Sequence, residues 1–365
     1  MNSFIICATR SMRSYAARVV SFLKKFSSFA ELDDEFNGVL LLDADRFADG
    51  EMEVVVNSSI RGKDVILFAS CARNEAGIGV EEAKIELYHA IDALKRAQAN
   101  KIIVFEPFVS CSRSDRTMRR SSVGLWVHVK TLSSLGAGHI VTYQLHSDKS
   151  KSIVDPAICL MDDIPALFLL QKYLSDVYIQ SHENLENVVR AHWAFCSVDA
   201  SGEKIARSFA NGFRAPLVVA HKQRDYSRSN TVGSINILSA EPLEGKVLWI
   251  VDDMIDTASS AENLINALKP LKPKEINLVA VHAIFSPPAT QRLKQLSDNG
   301  LLKRIIVTDT VTPSISDELP NIEVVPSAEL SARVIRAILT NSSMRKLLRT
   351  FDADIYLNSP NLFNT

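Results

Sequence analysis

The stretch Val247-Leu-Trp-Ile-Val-Asp252-Asp253-Met-Ile-Asp256-Thr257-Ala258-Ser259-Ser260 is an apolar, β-branched run that delivers three carboxylates and a cluster of hydroxyls to one place. A continuous hydrophobic run reads as a buried strand of a parallel sheet, and ligands of open α/β sheets gather outside the carboxyl ends of such strands. The acids therefore fall where a ligand binds. Asp252 and Asp253 can accept hydrogen bonds from vicinal ribose hydroxyls. Thr257, Ser259 and Ser260 open a helix (Ser-Ala-Glu262-Asn-Leu-Ile) whose first N–H groups favour a phosphate. A Thr or Ser ahead of an apolar periodic segment is also an ordinary helix N-cap. Capping alone does not call for three aspartates, and carboxylates at the end of a buried strand cost free energy unless something binds them.

Working outward, strands and helices alternate. Strands are expected at residues 4–8, 65–69, 101–105 and 139–142, with helices at 12–26, 80–98 and 124–135. A break near 156–165 carries prolines at both ends. Beyond it a second set begins with a helix near 167–178, followed by strands at 193–196, 217–220, 247–251, 276–282 and 304–308. The pattern is α/β: two tandem doubly wound domains with mainly parallel sheets. The expected boundaries are 1–160 for the first domain, 161–343 for the second, and 344–365 for a C-terminal extension.

Composition narrows the class. A chain of 365 residues holds about two domains at roughly 150 residues each. With 41 basic against 42 acidic residues there is no general attraction to nucleic acid or to an anionic membrane. The five cysteines are odd in number and lack a Cys-x-x-Cys pair, which fits a reducing compartment rather than a disulfide framework or zinc site. No apolar run approaches the roughly 20 residues needed to span a bilayer. Residues 1–30 are rich in Arg, Lys and Ser, as in a mitochondrial transit peptide. The strand at 4–8 and the apolar face of Ala16, Val19, Val20 and Leu23 favour an opening β-α unit instead, so a cytoplasmic location is expected.

Further segments carry chemistry. Arg46-Phe47-Ala-Asp49-Gly-Glu51 reads by itself as a hairpin turn, since Asp-Gly between apolar runs is a strong turn signal. Phe105-Glu-Pro-Phe-Val-Ser-Cys-Ser-Arg113-Ser114-Asp115-Arg116 places arginines after a strand end, where a guanidinium fork can grip phosphate oxygens in two places. Gln144-Leu145-His146 and Asp199-Ala-Ser201-Gly202 each close another strand. Leu217-Val-Val-Ala-His221-Lys222-Gln223-Arg224 ends a buried-strand pattern in two cations, and the polar, aperiodic residues 225–232 after it suit a closing flap.

The stretch from Asp252 to Ser260 resembles the phosphoribosyl-pyrophosphate-binding motif of type I phosphoribosyltransferases and of ribose-phosphate pyrophosphokinase. The other segments, in this order, resemble the pyrophosphokinase family, of which this chain looks like a divergent member. The resemblance implies transfer of the pyrophosphoryl group of Mg-ATP to the 1-hydroxyl of ribose 5-phosphate, giving phosphoribosyl pyrophosphate and AMP for nucleotide biosynthesis. It implies that Phe47, Asp49 and Glu51 on a loop reaching from a neighbouring subunit, together with Arg113 and Asp115, bind ATP. Asp252, Asp253 and Asp256 with Thr257, Ala258, Ser259 and Ser260 would bind ribose 5-phosphate. His146 and Asp199 would hold the Mg²⁺ that escorts ATP. Lys222 and Arg224 would be catalytic, neutralising charge on the transferred group. A homo-oligomer, a dimer or a hexamer of dimers, is implied as well.

Several positions depart from the family pattern: Gln144 for aspartate, Ser114 for glutamine, and Ser201 and Ser259 for glycines. A glycine in a phosphate loop permits close backbone approach or a positive φ, so Ser259 is expected to reshape the 5-phosphate pocket. Residues 118–126 and 149–154 also diverge where relatives carry segments tied to ATP binding and allosteric control. The alternatives are a noncatalytic regulatory paralogue and a pyrophosphokinase for a larger ribose phosphate. A nucleobase phosphoribosyltransferase is a third, disfavoured by the Phe47 and Arg113 segments.

Overall fold

The computed structural model describes residues 4–26, 38–117, 120–199, 202–224, 232–311 and 318–360, with the backbone alone for 222–224 and 232–234. It divides into two compact units. One comprises Met1–Pro165, Thr310–Thr312 and Pro326–Met344; the other comprises Ala166–Asp309, Pro313–Val325 and Arg345–Thr365.

The first unit runs β1 (Phe4–Ala8), α1 (Arg13–Leu23), β2 (Leu40–Leu41), β3 (Asp43–Arg46), β4 (Met52–Val55), β5 (Asp64–Phe68), α2 (Val80–Arg96), β6 (Lys101–Phe105), α3 (Gly124–Leu135), β7 (Ala137–Tyr143) and β8 (Leu160–Ile164). Six strands form a parallel sheet in the order β2-β1-β5-β6-β7-β8, and β3 pairs with β4 as an antiparallel hairpin. Central strands β5 and β6 are buried along nearly their whole length, which is why they are unbroken apolar runs rather than alternating ones. Helix α1 buries the expected stripe, Ala16, Val19, Val20 and Leu23.

The second unit contains α4 (Leu167–Leu174), the single turn α5 (His182–Asn184), β9 (Trp193–Ser197), α6 (Glu203–Phe213), β10 (Leu217–Arg224), β11 (Val232–Ser239), β12 (Val247–Ile255), α7 (Ser259–Leu268), β13 (Glu275–Ala283), α8 (Ala289–Asp298), β14 (Arg304–Thr308) and β15 (Ile322–Val325). Its seven strands are ordered β11-β10-β9-β12-β13-β14-β15, parallel except for β11. Strand β9 lies between β10 and β12, so the chain winds away from it in both directions. That reversal opens a crevice at the carboxyl ends of β9 and β12, the general ligand position in such sheets.

The last helices differ from the sequence division. Helix α9 (Ala328–Leu339) falls in the span 161–343 assigned to the second domain, yet it packs within the first unit. Its buried face, including Ala332, Val334 and Ile335, covers the apolar side of α1. The Tyr15 hydroxyl lies 2.8 Å from Ser327 Oγ and 2.7 Å from Ser331 Oγ, and the Tyr143 hydroxyl lies 2.6 Å from Ser331 Oγ. These contacts satisfy hydroxyls that burial would otherwise penalise. The extension beyond it, with α10 (Ala353–Asn358), returns to the second unit. Phe351 is buried with its ring centroid 5.3 Å from that of Phe213, and a Cβ on Gly212 would come within 3.2 Å of the Phe351 carbonyl. The glycine lets tail and helix α6 meet.

Candidate functional site

Strand β12 aligns Val251 with Ser197 of β9 and then runs on alone on that side, which carries Asp252 and Asp253 past the end of the neighbouring strand. Its opposite flank remains paired, Asp252 facing Ala280 and Met254 facing His282 of β13. The acids are thus held rigidly from one side and presented to the crevice from the other. Asp199 follows β9 at the same edge. Its Oδ1 accepts from the Gly202 amide at 3.1 Å, and a Cβ on Gly202 would lie 3.9 Å from Asp252 Oδ1. The structure therefore gathers Asp199, Gly202, Asp252 and Asp253 at the switch point of the second unit.

Electrostatics here are unfavourable by construction. Burial raises the Asp252 pKa well above the ordinary carboxylate value, and the adjacent Asp253 and Asp199 carboxylates raise it further. The Asp253 amide, donating to Asp252 Oδ1 at 2.9 Å, offsets part of that. Asp253 itself is only 4% exposed. Carboxylates with pKa values perturbed in this way cluster at functional sites.

After β12 the chain turns through Asp256 and Thr257 into α7. The turn is made by Ala258, at φ 59° and ψ 7°, a left-handed conformation that is uncommon outside glycine. The positive φ that the sequence analysis associated with position 259 belongs to Ala258; Ser259 is the first helical residue and carries no such backbone demand. What Ser259 adds to the loop is therefore a side chain, not strain. Ala258, at the N-cap of α7, has no side-chain oxygen to offer the first-turn amides, which lack intrahelical acceptors. Ser259, Ser260 and Thr257 are all partly exposed.

One residue of this loop escaped the sequence analysis. Arg292, on α8, donates from Nη1 to the Thr257 carbonyl at 2.9 Å and pairs through Nε with Glu262 at 3.1 Å. It ties the loop after β12 to the first turn of α7. Lying 35 residues beyond Thr257 with no motif around it, it carries no local signal.

Lys222 and Arg224 belong to β10, where Lys222 pairs with Ile235 and Arg224 with Val232 of β11, the register shifting between the two. The sequence analysis ended this strand at residue 220; the antiparallel partner at 232–239 extends it. The flap expected over 225–232 lies outside the described residues except for Val232, as does Ser201.

In the first unit, Phe47, Asp49 and Glu51 form the tip of the β3–β4 hairpin. The Phe47 amide donates to the Glu51 carbonyl at 2.8 Å, Gly50 takes φ 94°, and Arg46 Nη2 anchors the hairpin to Glu82 at 3.0 Å. Asp49 Oδ1 accepts from the Glu51 amide at 3.1 Å, so one of its oxygens serves the turn. Phe47 is 55% exposed, an apolar ring held out on a braced tip. Arg113 is exposed and Asp115 partly buried on the segment after β6. Ser114 has a structural task there: its Oγ accepts from the Gly124 amide at 3.0 Å and its carbonyl from the Leu125 amide at 3.1 Å, which caps α3 from a distance.

His146 is exposed after β7, in a turn where Gln144 has φ 43° and the Leu145 amide donates to Asp163 Oδ1 at 3.0 Å. His146 and Asp199 belong to different units. Neither is part of a close set of three His, Cys, Asp or Glu donors among the described residues. Carboxylate oxygen is a ligand that a largely hydrated Mg²⁺ accepts. Among the described residues no helix is long and apolar enough to cross a membrane.

Comparison with known proteins agrees with this layout. The profile of the N-terminal domain of ribose phosphate pyrophosphokinase matches residues 6–136, and that of the phosphoribosyl transferase domain matches residues 171–312. A ribose-phosphate pyrophosphokinase of Bifidobacterium longum is 31% identical over 315 residues, covering 86% of this chain and 86% of that protein. Another from Nostoc is 30% identical over 308 residues, covering 83% of this chain and 84% of the relative. A crystal structure of phosphoribosylpyrophosphate synthetase from Mycobacterium smegmatis superposes with a TM-score of 0.77 at 26% identity, covering 93% of this chain and all of that one. With both halves of the chain matched in order, the protein belongs to the ribose-phosphate pyrophosphokinase family.

Proposed function

We propose that this chain transfers the pyrophosphoryl group of Mg-ATP to the 1-hydroxyl of ribose 5-phosphate, releasing AMP and phosphoribosyl pyrophosphate. The observation that carries it is the crevice of the second unit, where Asp252 and Asp253 stand on β12 beyond the end of β9 and the first turn of α7 follows shortly after. Their carboxylates and that of Asp256 accept from the ribose hydroxyls; Thr257, Ala258, Ser259 and Ser260 hold the 5-phosphate at the helix start.

Phe47 supplies a face for stacking, Asp49 and Glu51 accept from polar groups of adenine, and Arg113 and Asp115 orient the nucleotide phosphates. Lys222 and Arg224 neutralise charge on the transferred group, a role that rests on cations placed where negative charge builds up. His146 and, separately, Asp199 would offer ligand atoms to Mg²⁺, which would supply positive charge to the nucleotide phosphates. The exposed Phe47 on its braced tip supports a homo-oligomer in which the ring finds its partner on another subunit. Five unpaired cysteines support a cytoplasmic location.

Phosphorus NMR of the full chain with Mg-ATP and ribose 5-phosphate tests the reaction. The expected result is growth of a diphosphate on the sugar in step with AMP; ADP in its place would mean single-phosphoryl transfer and refute the assignment.

A further inference from the structure

We propose that the first unit contains a structural transition-metal site, of the kind that takes Zn²⁺, built from Cys71, Glu106 and His128. One ligand atom from each side chain lies within 4.8 Å of the other two, and all three residues are buried, at 1%, 0% and 2% exposure. They come from three elements: Cys71 follows β5, Glu106 follows β6, and His128 is on α3.

A carboxylate with no exposure is costly in a parallel α/β core unless it is paired or holds a cation. Among the described residues the ion-pair partner of Glu106 is His128, whose Nε2 lies 2.9 Å from Glu106 Oε2, and the charge of the buried Lys84 also acts on Cys71. A thiolate and a carboxylate around a dication leave the buried cluster neutral, and the ion takes the place of the protons that the thiol and the imidazole otherwise carry.

The second ring nitrogen is also provided for. His128 Nδ1 lies 2.9 Å from the Tyr88 hydroxyl. Metal-bound histidines almost always engage the other nitrogen in this way, fixing tautomer and ring orientation. A mixed sulfur, nitrogen and oxygen set selects zinc-like metals over Mg²⁺, which requires oxygen and an octahedron. Ligand distances of about 2.0–2.3 Å in a tetrahedral zinc site place donor atoms roughly 3.2–3.8 Å apart, so modest side-chain rotation within the 4.8 Å cluster closes it. Cys111 is the neighbouring further sulfur, with Lys84 Nζ 3.3 Å from its Sγ.

The position gives the site a purpose. It lies at the root of the segment that carries Arg113 and Asp115 and clamps both ends of that segment, β6 through Glu106 and α3 through His128. The inference does not depend on the proposed reaction, because it rests on the geometry of this cluster alone.

Co²⁺ titration of the purified, metal-stripped full chain tests it. The wild type is expected to bind one Co²⁺ per chain, with a thiolate-to-cobalt charge-transfer band and the intense visible bands of a tetrahedral centre. Zn²⁺ should displace the ion and excess Mg²⁺ should not. Cys71→Ala should remove the charge-transfer band. Tyr88→Phe, which leaves all three ligands in place, should weaken affinity by about 10- to 100-fold, the usual effect of an outer partner. A folded wild type with no such band, or a band that survives Cys71→Ala, overturns the proposal and leaves a metal-free hydrogen-bonded cluster. Should Cys71→Ala fail to fold, the wild-type titration and Tyr88→Phe decide.

Discussion

The backbone N–H of Asp253 donates to Oδ1 of Asp252 across 2.9 Å, so the chain turns its own amide onto the carboxylate it has most reason to neutralise. One amide does not balance burial plus two neighbouring acids, and the Asp252 pKa remains raised. A buried carboxylate with a raised pKa costs the fold stability where it must ionise.

That relation fixes the sign of a pH effect. A carboxyl whose folded pKa is raised is favoured in its protonated form by the fold. Its stabilising contribution is full below the unfolded value of about 3.9 and is lost as pH rises toward the raised folded value. Asp252→Asn removes the charge without the shape. Its melting temperature should exceed that of the wild type at neutral pH, by roughly 2–4 °C for each kcal/mol relieved, and the difference should shrink as pH falls toward about 4. Ribose 5-phosphate turnover should drop by about 100-fold or more, the scale for losing one preorganised polar contact. Thermal melts of both proteins across that pH range check the first claim; a variant less stable than wild type at neutral pH contradicts it.

Arg292 holds the Thr257 carbonyl and Glu262 together, so it acts through the loop rather than on a ligand. Hydrogen bonds to a charged group contribute about 1.5–3 kcal/mol, and Arg292→Ala should lower kcat/KM for ribose 5-phosphate by about tenfold or more. The loss should fall mainly on KM for the sugar and leave KM for ATP near its original value. Steady-state kinetics varying each substrate in turn separates these outcomes.

Ser114→Ala withdraws the acceptor for the Gly124 amide at the start of α3. The expected cost is about 1 kcal/mol, typical of a lost cap, seen in urea unfolding as a lower midpoint with an unchanged slope. A neutral result would mean that water or the Ser114 carbonyl alone satisfies the helix start.

Lys222→Ala should lower kcat by about two or more powers of ten, as expected when a group that stabilises developing charge is removed, while far-UV circular dichroism and assembly remain those of the wild type. Undiminished turnover would remove Lys222 from the mechanism.

Much of this architecture could be read from the residues alone, for a physical reason. Buried parallel strands such as β5, β6 and β12 must be apolar throughout, and a carboxylate pair at the end of one has little reason to be there but binding. What the chain did not announce depends on contacts between distant positions. Arg292 is one case, since nothing near it in sequence marks a loop brace. Another is α9, whose apolar face reads equally well as part of either unit until the hydroxyls of Tyr15 and Tyr143 are seen to need Ser327 and Ser331. The left-handed residue of this loop, Ala258, carries no mark in the sequence, because glycine, the usual sign of positive φ, is absent there. The Cys71, Glu106 and His128 cluster was invisible for the same reason as Arg292, its members arriving from three separate elements.

The most direct test of the central claim is AMP release by the wild-type chain from ATP and Mg²⁺, measured with and without ribose 5-phosphate, alongside direct detection of phosphoribosyl pyrophosphate. The account predicts AMP formation that depends on the sugar phosphate and equals the new diphosphate mole for mole. A folded protein that forms no AMP under these conditions, or forms it equally without the sugar, would contradict it.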